Sequence, residues 1–121
     1  MPNPFVHVEL MSTDIDKAKQ FYGQLFEWNL EDVAIGGGMG YTLIKPGNGT
    51  GGGMMQHPLP GAPSTWLAYV DVPDIRKATE RAKSLGAKIK RDVTEIPGVG
   101  SFSIFEDPTG AVLALWQQTG K

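Results

Sequence analysis

An α+β fold built from two βαβββ modules is predicted by three observations. Strand-like and helix-like patterns come in the order strand, helix, three strands, and the order then repeats. The repeat is also visible in the residues. DIDKA (14–18) and DIRKA (74–78) agree at four of five positions with an offset of sixty; Leu25 and Leu85 share that offset, and Val6 and Trp66 are matching apolar positions under it. Glycine and proline clusters, finally, separate the strands where antiparallel neighbours must turn. A chain of 121 residues fits one domain of two repeats, about 4–56 and 64–118.

Residues 5–10, FVHVEL, alternate and are rich in valine, as a half-buried strand should be. Ser12, Thr13 and Asp14 offer N-caps for a helix. Its Ile15, Ala18, Phe21, Tyr22, Leu25 and Phe26 recur at spacings of three and four, which makes one apolar stripe. WNLEDVA (28–34), MGYTLIKP (39–46) and a glycine-rich stretch ending in GGMMQ (52–56) read as strands, and HPLPGAPS (57–64) as a linker. TWLAYVDV (65–72) opens the second module. PDIRKATERAKSLGA (73–87) gives its helix, with Asp74 as cap and Ile75, Ala78, Ala82 and Leu85 as stripe. Gly86 stands where a helix end takes a left-handed residue. Strands over AKIKRDVTEI (87–96), GSFSIFE (100–106) and AVLALWQ (111–117) complete the module, the last two joined by a type I turn at DPTG (107–110).

Composition excludes several chemistries. There is no cysteine, hence no disulfide, thiolate metal site or cysteine nucleophile. The net charge of −2, with both signs scattered, recommends neither nucleic acid nor an anionic membrane as partner. No apolar run approaches the ~20 residues that span a bilayer. MPNPFVHVEL has no basic n-region, so the expected location is the cytoplasm. KPGNGTGGG contains a GxGxxG spacing at Gly47, Gly49 and Gly52, but no helix follows it and the GK[ST] ending is missing. It is read as a hairpin loop, not a phosphate loop. The charges of RKATERAK (76–83) read as a solvated face.

Side chains on a strand alternate between two faces. Val6, Val8 and Leu10 suit the face packed on the helix, which leaves Phe5, His7 and Glu9 on the other. The offset of sixty places Leu67 at the position of His7 and Tyr69 at that of Glu9. It pairs Met54 of one last strand with Ala114 of the other, so Val112, Ala114 and Trp116 share a face. His7 and Glu9 lie within about 7 Å along one face, close enough for a carboxylate to orient an imidazole, and are the candidate acid/base pair. Tyr69 and Tyr41 can each aim a hydroxyl at a ligand, although for Tyr41 plain packing is the favoured expectation.

The two modules, the stretch HVELMSTDIDKAKQFYGQLFEW and the ending EDPTGAVLALWQ resemble the vicinal oxygen chelate superfamily. That group includes glyoxalase I, fosfomycin-resistance proteins, extradiol dioxygenases and bleomycin-resistance proteins. The resemblance implies that each module curls into an incomplete barrel and that paired modules enclose a cavity. For metal-dependent members it also implies up to four ligands, His or Gln on the first strands and Glu on the last. Mapped onto this chain the positions are His7, Met54, Leu67 and Ala114, and only His7 is ligand-capable. The expectation is therefore a protein without metal or other cofactor that binds a small apolar or aromatic molecule. His7, Glu9 and Tyr69 would supply polar contacts, and Phe5, Met54, Leu67, Ala114 and Trp116 the walls. Two enzyme readings stand beside it. One is a glyoxalase-like lyase or dioxygenase whose shifted metal site recruits Glu9, His57, Glu95 or Glu106; the other is a metal-free acid/base enzyme using His7 and Glu9. A homodimer is expected, since an open sheet edge favours pairing.

Overall fold

The computed structural model describes residues 2–35, 39–59 and 61–119. Its elements follow the predicted order: β1 (Phe5–Ser12), α1 (Ile15–Leu25), β2 (Asn29–Ile35), β3 (Met39–Lys45) and β4 (Gly52–Gln56), then β5 (Thr65–Asp71), α2 (Ile75–Ser84), β6 (Lys88–Ile96), β7 (Gly100–Glu106) and β8 (Val112–Gln118). The turn expected between β2 and β3, at residues 36–38, lies outside the described residues. The fold is α+β. Chain contacts divide it into a unit of His7–Leu67 and a second unit of the residues up to Val6 together with those from Ala68 onward.

In the first unit the strand order is β2-β3-β4-β1, with β1 and β4 parallel and the other neighbours antiparallel. Asp14 caps α1 through its carboxylate, which accepts from the Lys17 N–H at 3.1 Å. Gln56, at the end of β4, clamps the same terminus: its Oε1 accepts from the Ile15 N–H at 3.1 Å and its Nε2 donates to the Thr13 carbonyl at 2.7 Å. These contacts satisfy donors that a helix start leaves open. Under α1, Leu10, Ile44 and Met54 are buried against Ile15, Ala18 and Tyr22. Each such side chain contributes about 1.5–3 kcal/mol by leaving water. Phe21, Leu25 and Phe26, predicted in the same stripe, point outward instead and are 56, 56 and 43 % exposed. The apolar arc of this helix is wider than the sheet face beneath it.

In the second unit the order is β5-β8-β7-β6, with β5 and β8 parallel. Asp74 caps α2 as predicted, and Gln117 Oε1 accepts from the Ile75 N–H at 2.8 Å. Gly86 ends the helix at φ +106°, a conformation that L side chains resist. The core holds Val72, Ile75 and Leu115, with Val70, Ala78, Val93 and Phe105 packed on it. A buried polar pair, Thr79 Oγ1 and Ser103 Oγ at 2.8 Å, joins α2 to β7, and Thr79 also donates to the Ile75 carbonyl. At the DPTG turn the Gly110 N–H donates to the Asp107 carbonyl at 3.0 Å. The Asp107 carboxyl accepts from Thr109 Oγ1, Thr109 N and Ala111 N, and these bonds hold it below the usual carboxylate range.

One predicted pairing is corrected here. Leu10 stands beside Met54 and Glu9 beside Gly53, whereas Val70 stands beside Leu115 and Tyr69 beside Ala114. The first strands are related by an offset of sixty, but the last strands by sixty-one. Gln56 and Gln117, which perform the same capping task, obey the second offset. The counterpart of Ala114 is therefore Gly53, and Met54 belongs to the α1 face. No helix among the described residues is long and apolar enough to cross a membrane.

Candidate functional site

The face of the first unit's sheet opposite α1 carries His7, Glu9, Gly53 and Tyr41. β1 sets His7 and Glu9 two residues apart on one side, and the β4 register brings Gly53 level with Glu9. Gly53 leaves a gap in that face, and the phenol of Tyr41 fills it. A Cβ at position 53 would collide with the Tyr41 Oη, Cζ and Cε2 atoms. Packing alone, expected for Tyr41, is thus only half of its role.

The Tyr41 hydroxyl sits between the two polar side chains of β1. It donates to Glu9 Oε1 at 3.0 Å and lies 2.7 Å from His7 Nε2. Because its proton goes to Glu9, its oxygen accepts from the His7 Nε2–H. The sequence is His7 Nε2–H to Tyr41 Oη–H to Glu9 Oε1, with the outer two atoms 3.9 Å apart. The rings of His7 and Tyr41 are stacked at 18°. Glu9 is 13 % exposed and His7 28 %. A carboxylate buried this far requires hydrogen-bond donors, and Tyr41 is one of them.

Burial pushes the His7 imidazole below its ordinary value of 6.5, and the nearby carboxylate does not reverse this. The unfolded chain then takes a proton before the folded one does as the pH falls. Stability is complete above about 6.5 and is lost as pH drops from there through the folded value. In His7→Gln that segment of the pH profile flattens. Urea denaturation between about pH 7.5 and pH 5 measures it; an unchanged slope in the variant would contradict the assignment.

The other predicted residues are placed as follows. In the first unit Leu67 is buried, and Met54 is wholly buried beneath α1. Met54 there floors an open groove of about 400 Å³ with Ile15, Lys19, Asp32, Thr42 and Gln56 around it. The polar groups of this groove bind one another. Lys19 Nζ is 3.0 Å and Thr42 Oγ1 2.7 Å from Asp32 Oδ1, and hydrogen bonds from Thr42 and then Lys19 hold that carboxyl below its usual range. In the second unit Tyr69 and Ala114 are buried side by side, and Trp116 meets Tyr69 edge to face at 6.4 Å. Phe5 is 61 % exposed.

The four positions that the resemblance implies for metal ligands become, with the corrected register, His7, Gly53, Leu67 and Ala114. One imidazole among a glycine, a leucine and an alanine does not fit a divalent cation, which needs three or more nitrogen or carboxylate ligands. The alternative ligands are not gathered either. His57 Nδ1 accepts from the Leu59 N–H in its own loop, Glu106 lies 3.6 Å from Lys90, and Glu95 is on β6 and exposed. Among the described residues no group of three or more His, Cys, Asp or Glu is arranged to hold a metal.

A family model described as the Glyoxalase/Bleomycin resistance protein/Dioxygenase superfamily matches residues 5–115. The chain is similar to a protein of Mycobacterium tuberculosis named "Putative glyoxylase CFP32", 31 % identical over 107 residues, 88 % of this chain and 41 % of that one. It is 25 % identical over 124 residues to "Anthracycline biosynthesis protein DnrV" of Streptomyces peucetius, covering 91 % of this chain and 45 % of the relative. The chain thus spans less than half the length of these relatives. A "Glyoxylase-like domain-containing protein" of Didymella fabae is 28 % identical, with 94 % and 93 % covered. Among solved structures, a hypothetical protein from Bacillus halodurans superposes with a TM-score of 0.74 at 13 % identity, covering 100 % and 98 % of the two chains. Methylmalonyl-CoA epimerase from Mycobacterium tuberculosis gives 0.69 at 16 %, covering 95 % and 87 %.

Proposed function

We propose that this chain, which belongs to the glyoxalase/bleomycin-resistance/dioxygenase superfamily, binds a small apolar or aromatic molecule without a metal ion. The observation that carries the reading is the Tyr41 hydroxyl, seated over Gly53 and bonded to both His7 and Glu9. The position over Gly53, where the resemblance implies an ion-binding glutamate, is here covered by the phenol of Tyr41. What results is a polar anchor with Leu43 and Val33 beside it on the same face, the mixed composition of a small-molecule site. Tyr69, Ala114 and Trp116 give the second unit an aromatic face of the same kind. Because the solved relatives share the fold at low identity, they support the architecture and not a particular ligand.

The test is a fluorescence titration with an anilinonaphthalene sulfonate probe, run in EDTA. Saturable binding of one probe per chain is expected, unchanged by the chelator and weakened about tenfold in Tyr41→Phe, the worth of one hydrogen bond. Binding that vanishes on chelation, or that ignores Tyr41→Phe, contradicts the proposal.

A second reading draws on the same atoms. The chain His7–Tyr41–Glu9 can carry a proton, so a metal-free acid/base enzyme is the alternative. Its activity would survive chelators and fail in His7→Ala.

A further inference from the structure

We propose that the sheet face of the second unit opposite α2 binds a planar aromatic carboxylate, with Arg91 of β6 holding the acid group and Trp116 and Phe102 the ring. The inference rests on the reading of this chain as a binder of small aromatic molecules, and adds the charge such a ligand must carry. Leu115 and Ser103 face α2, so the alternation of β7 and β8 puts Phe102 and Trp116 on the other side. Phe102 and Trp116 are register partners, and Tyr69 meets the indole edge to face. Gly100 fixes the indole in place: a Cβ there would run into Trp116 Cζ2 and Cη2, so the ring lies over bare backbone. Trp116 and Phe102 are both half-buried, which leaves ring surface for a ligand.

Arg91 reaches this shelf through a bulge. β6 pairs Ile89 with Phe105 and then Arg91 with Ile104, so Lys90 is an extra residue on its strand. The guanidinium carbon stands over the Phe102 ring, 5.6 Å from its centroid, and Nε donates to Thr94 Oγ1 at 3.2 Å. With Nε engaged, the two Nη groups form the edge that grips a carboxylate through paired hydrogen bonds. Arg91 is exposed and has no acidic partner among the described residues.

The internal repeat supplies a control within the same chain. By strand register Tyr41 is the counterpart of Phe102, Glu31 that of Arg91 and Lys45 that of Glu106. In the first unit Glu31 and Lys45 neutralise each other at 2.6 Å. In the second the bulge gives Glu106 to Lys90 at 3.6 Å, and Arg91 is left as an uncompensated cation beside the aromatic shelf. Asp92, its neighbour in sequence, turns Oδ1 to the Val93 N–H at 2.7 Å. An anion is thereby favoured over an amine or a neutral arene. Trp116 and Arg91 stand two strands apart, roughly 10 Å, a span that one ring with a short acid arm fills.

Calorimetric titration of the tag-free full chain with trans-cinnamate and with cinnamamide, its uncharged analogue, tests this at about pH 7.5, where the acid is ionised. One cinnamate per chain is expected, bound at least about tenfold more tightly than the amide, the effect of a charge-assisted hydrogen bond. Arg91→Gln removes that preference, whereas Arg76→Gln, the same loss of charge on α2, keeps it. Trp116→Leu weakens both probes alike. Equal affinity for the two probes, or a preference that survives Arg91→Gln, would overturn the inference. If the anilinonaphthalene sulfonate titration still saturates in that case, the binding reading stands and the carboxylate assignment alone falls. If no probe binds, both fall.

Discussion

Gly52→Ala is expected to cost at least about 4 kcal/mol, or to prevent folding altogether, although it adds a single methyl group. Gly52 is buried in β4 beside Val8 of the parallel β1, and a Cβ there would strike the Val8 carbonyl oxygen. The obstacle is backbone, which cannot rotate aside as a side chain can. Val8 is held in place by its own N–H, which donates to the Gly51 carbonyl at 3.2 Å. The methyl must push β1 and β4 apart, and with them the buried contact of Leu10 and Met54. Soluble yield and urea denaturation measure the effect. A loss below about 1 kcal/mol would mean that the two strands are not packed as described.

Its neighbour should behave differently, for a reason that bears on function. At Gly53 the obstacle is the phenol of Tyr41, the far end of a side chain that can swing out. Gly53→Ala is expected to expel that ring and break its bonds to His7 and Glu9 at a cost of about 2–3 kcal/mol. Near-neutral probe binding is not expected to survive, since the anchor is gone. Tyr41→Ala should already have incurred most of that cost. In the double variant the two effects should therefore fall short of their sum by more than about 1 kcal/mol. Four urea curves complete the cycle, and strictly additive losses would sink the idea that Tyr41 occupies the space over Gly53.

The sequence carried the fold well because its signals are local and redundant. Asp14 and Asp74 are true caps, Gly86 does adopt a positive φ, and the DPTG turn closes as its residues dictate. The alternation of β1 correctly separates Leu10, in the core, from His7 and Glu9. What failed was a count. A repeat that keeps an offset of sixty through its helices gains one residue before its last strand, and one residue turns a strand over. Met54 was thereby exchanged for Gly53. The signal that fixes the register was present in Gln56 and Gln117, but a glutamine reveals a capping role only once a helix end is seen above it. Tyr41 is legible as a strand aromatic whose hydroxyl could reach a ligand, but not as the partner of His7 and Glu9. Its partnership with His7 and Glu9 depends on a glycine across the sheet, and no periodicity within one strand encodes that.

The exposed half of α1 was missed for a related reason. An apolar stripe tells which residues avoid water, not how many of them a given sheet has room to cover. Phe21 and Leu25 keep the spacing of a buried face and are exposed all the same.

The proposed metal-free reading requires that the ligand positions implied by the resemblance bind no ion, with Tyr41 covering Gly53. Elemental analysis of tag-free protein, purified without chelators and then titrated calorimetrically with Zn²⁺, Ni²⁺ and Mn²⁺, tests it most directly. No stoichiometric divalent ion and no saturable uptake are expected, because His7 is the one ligand-capable side chain at the four sequence positions the resemblance implies. One ion per chain, bound tightly and released with loss of the His7 ligand in His7→Ala, would contradict it.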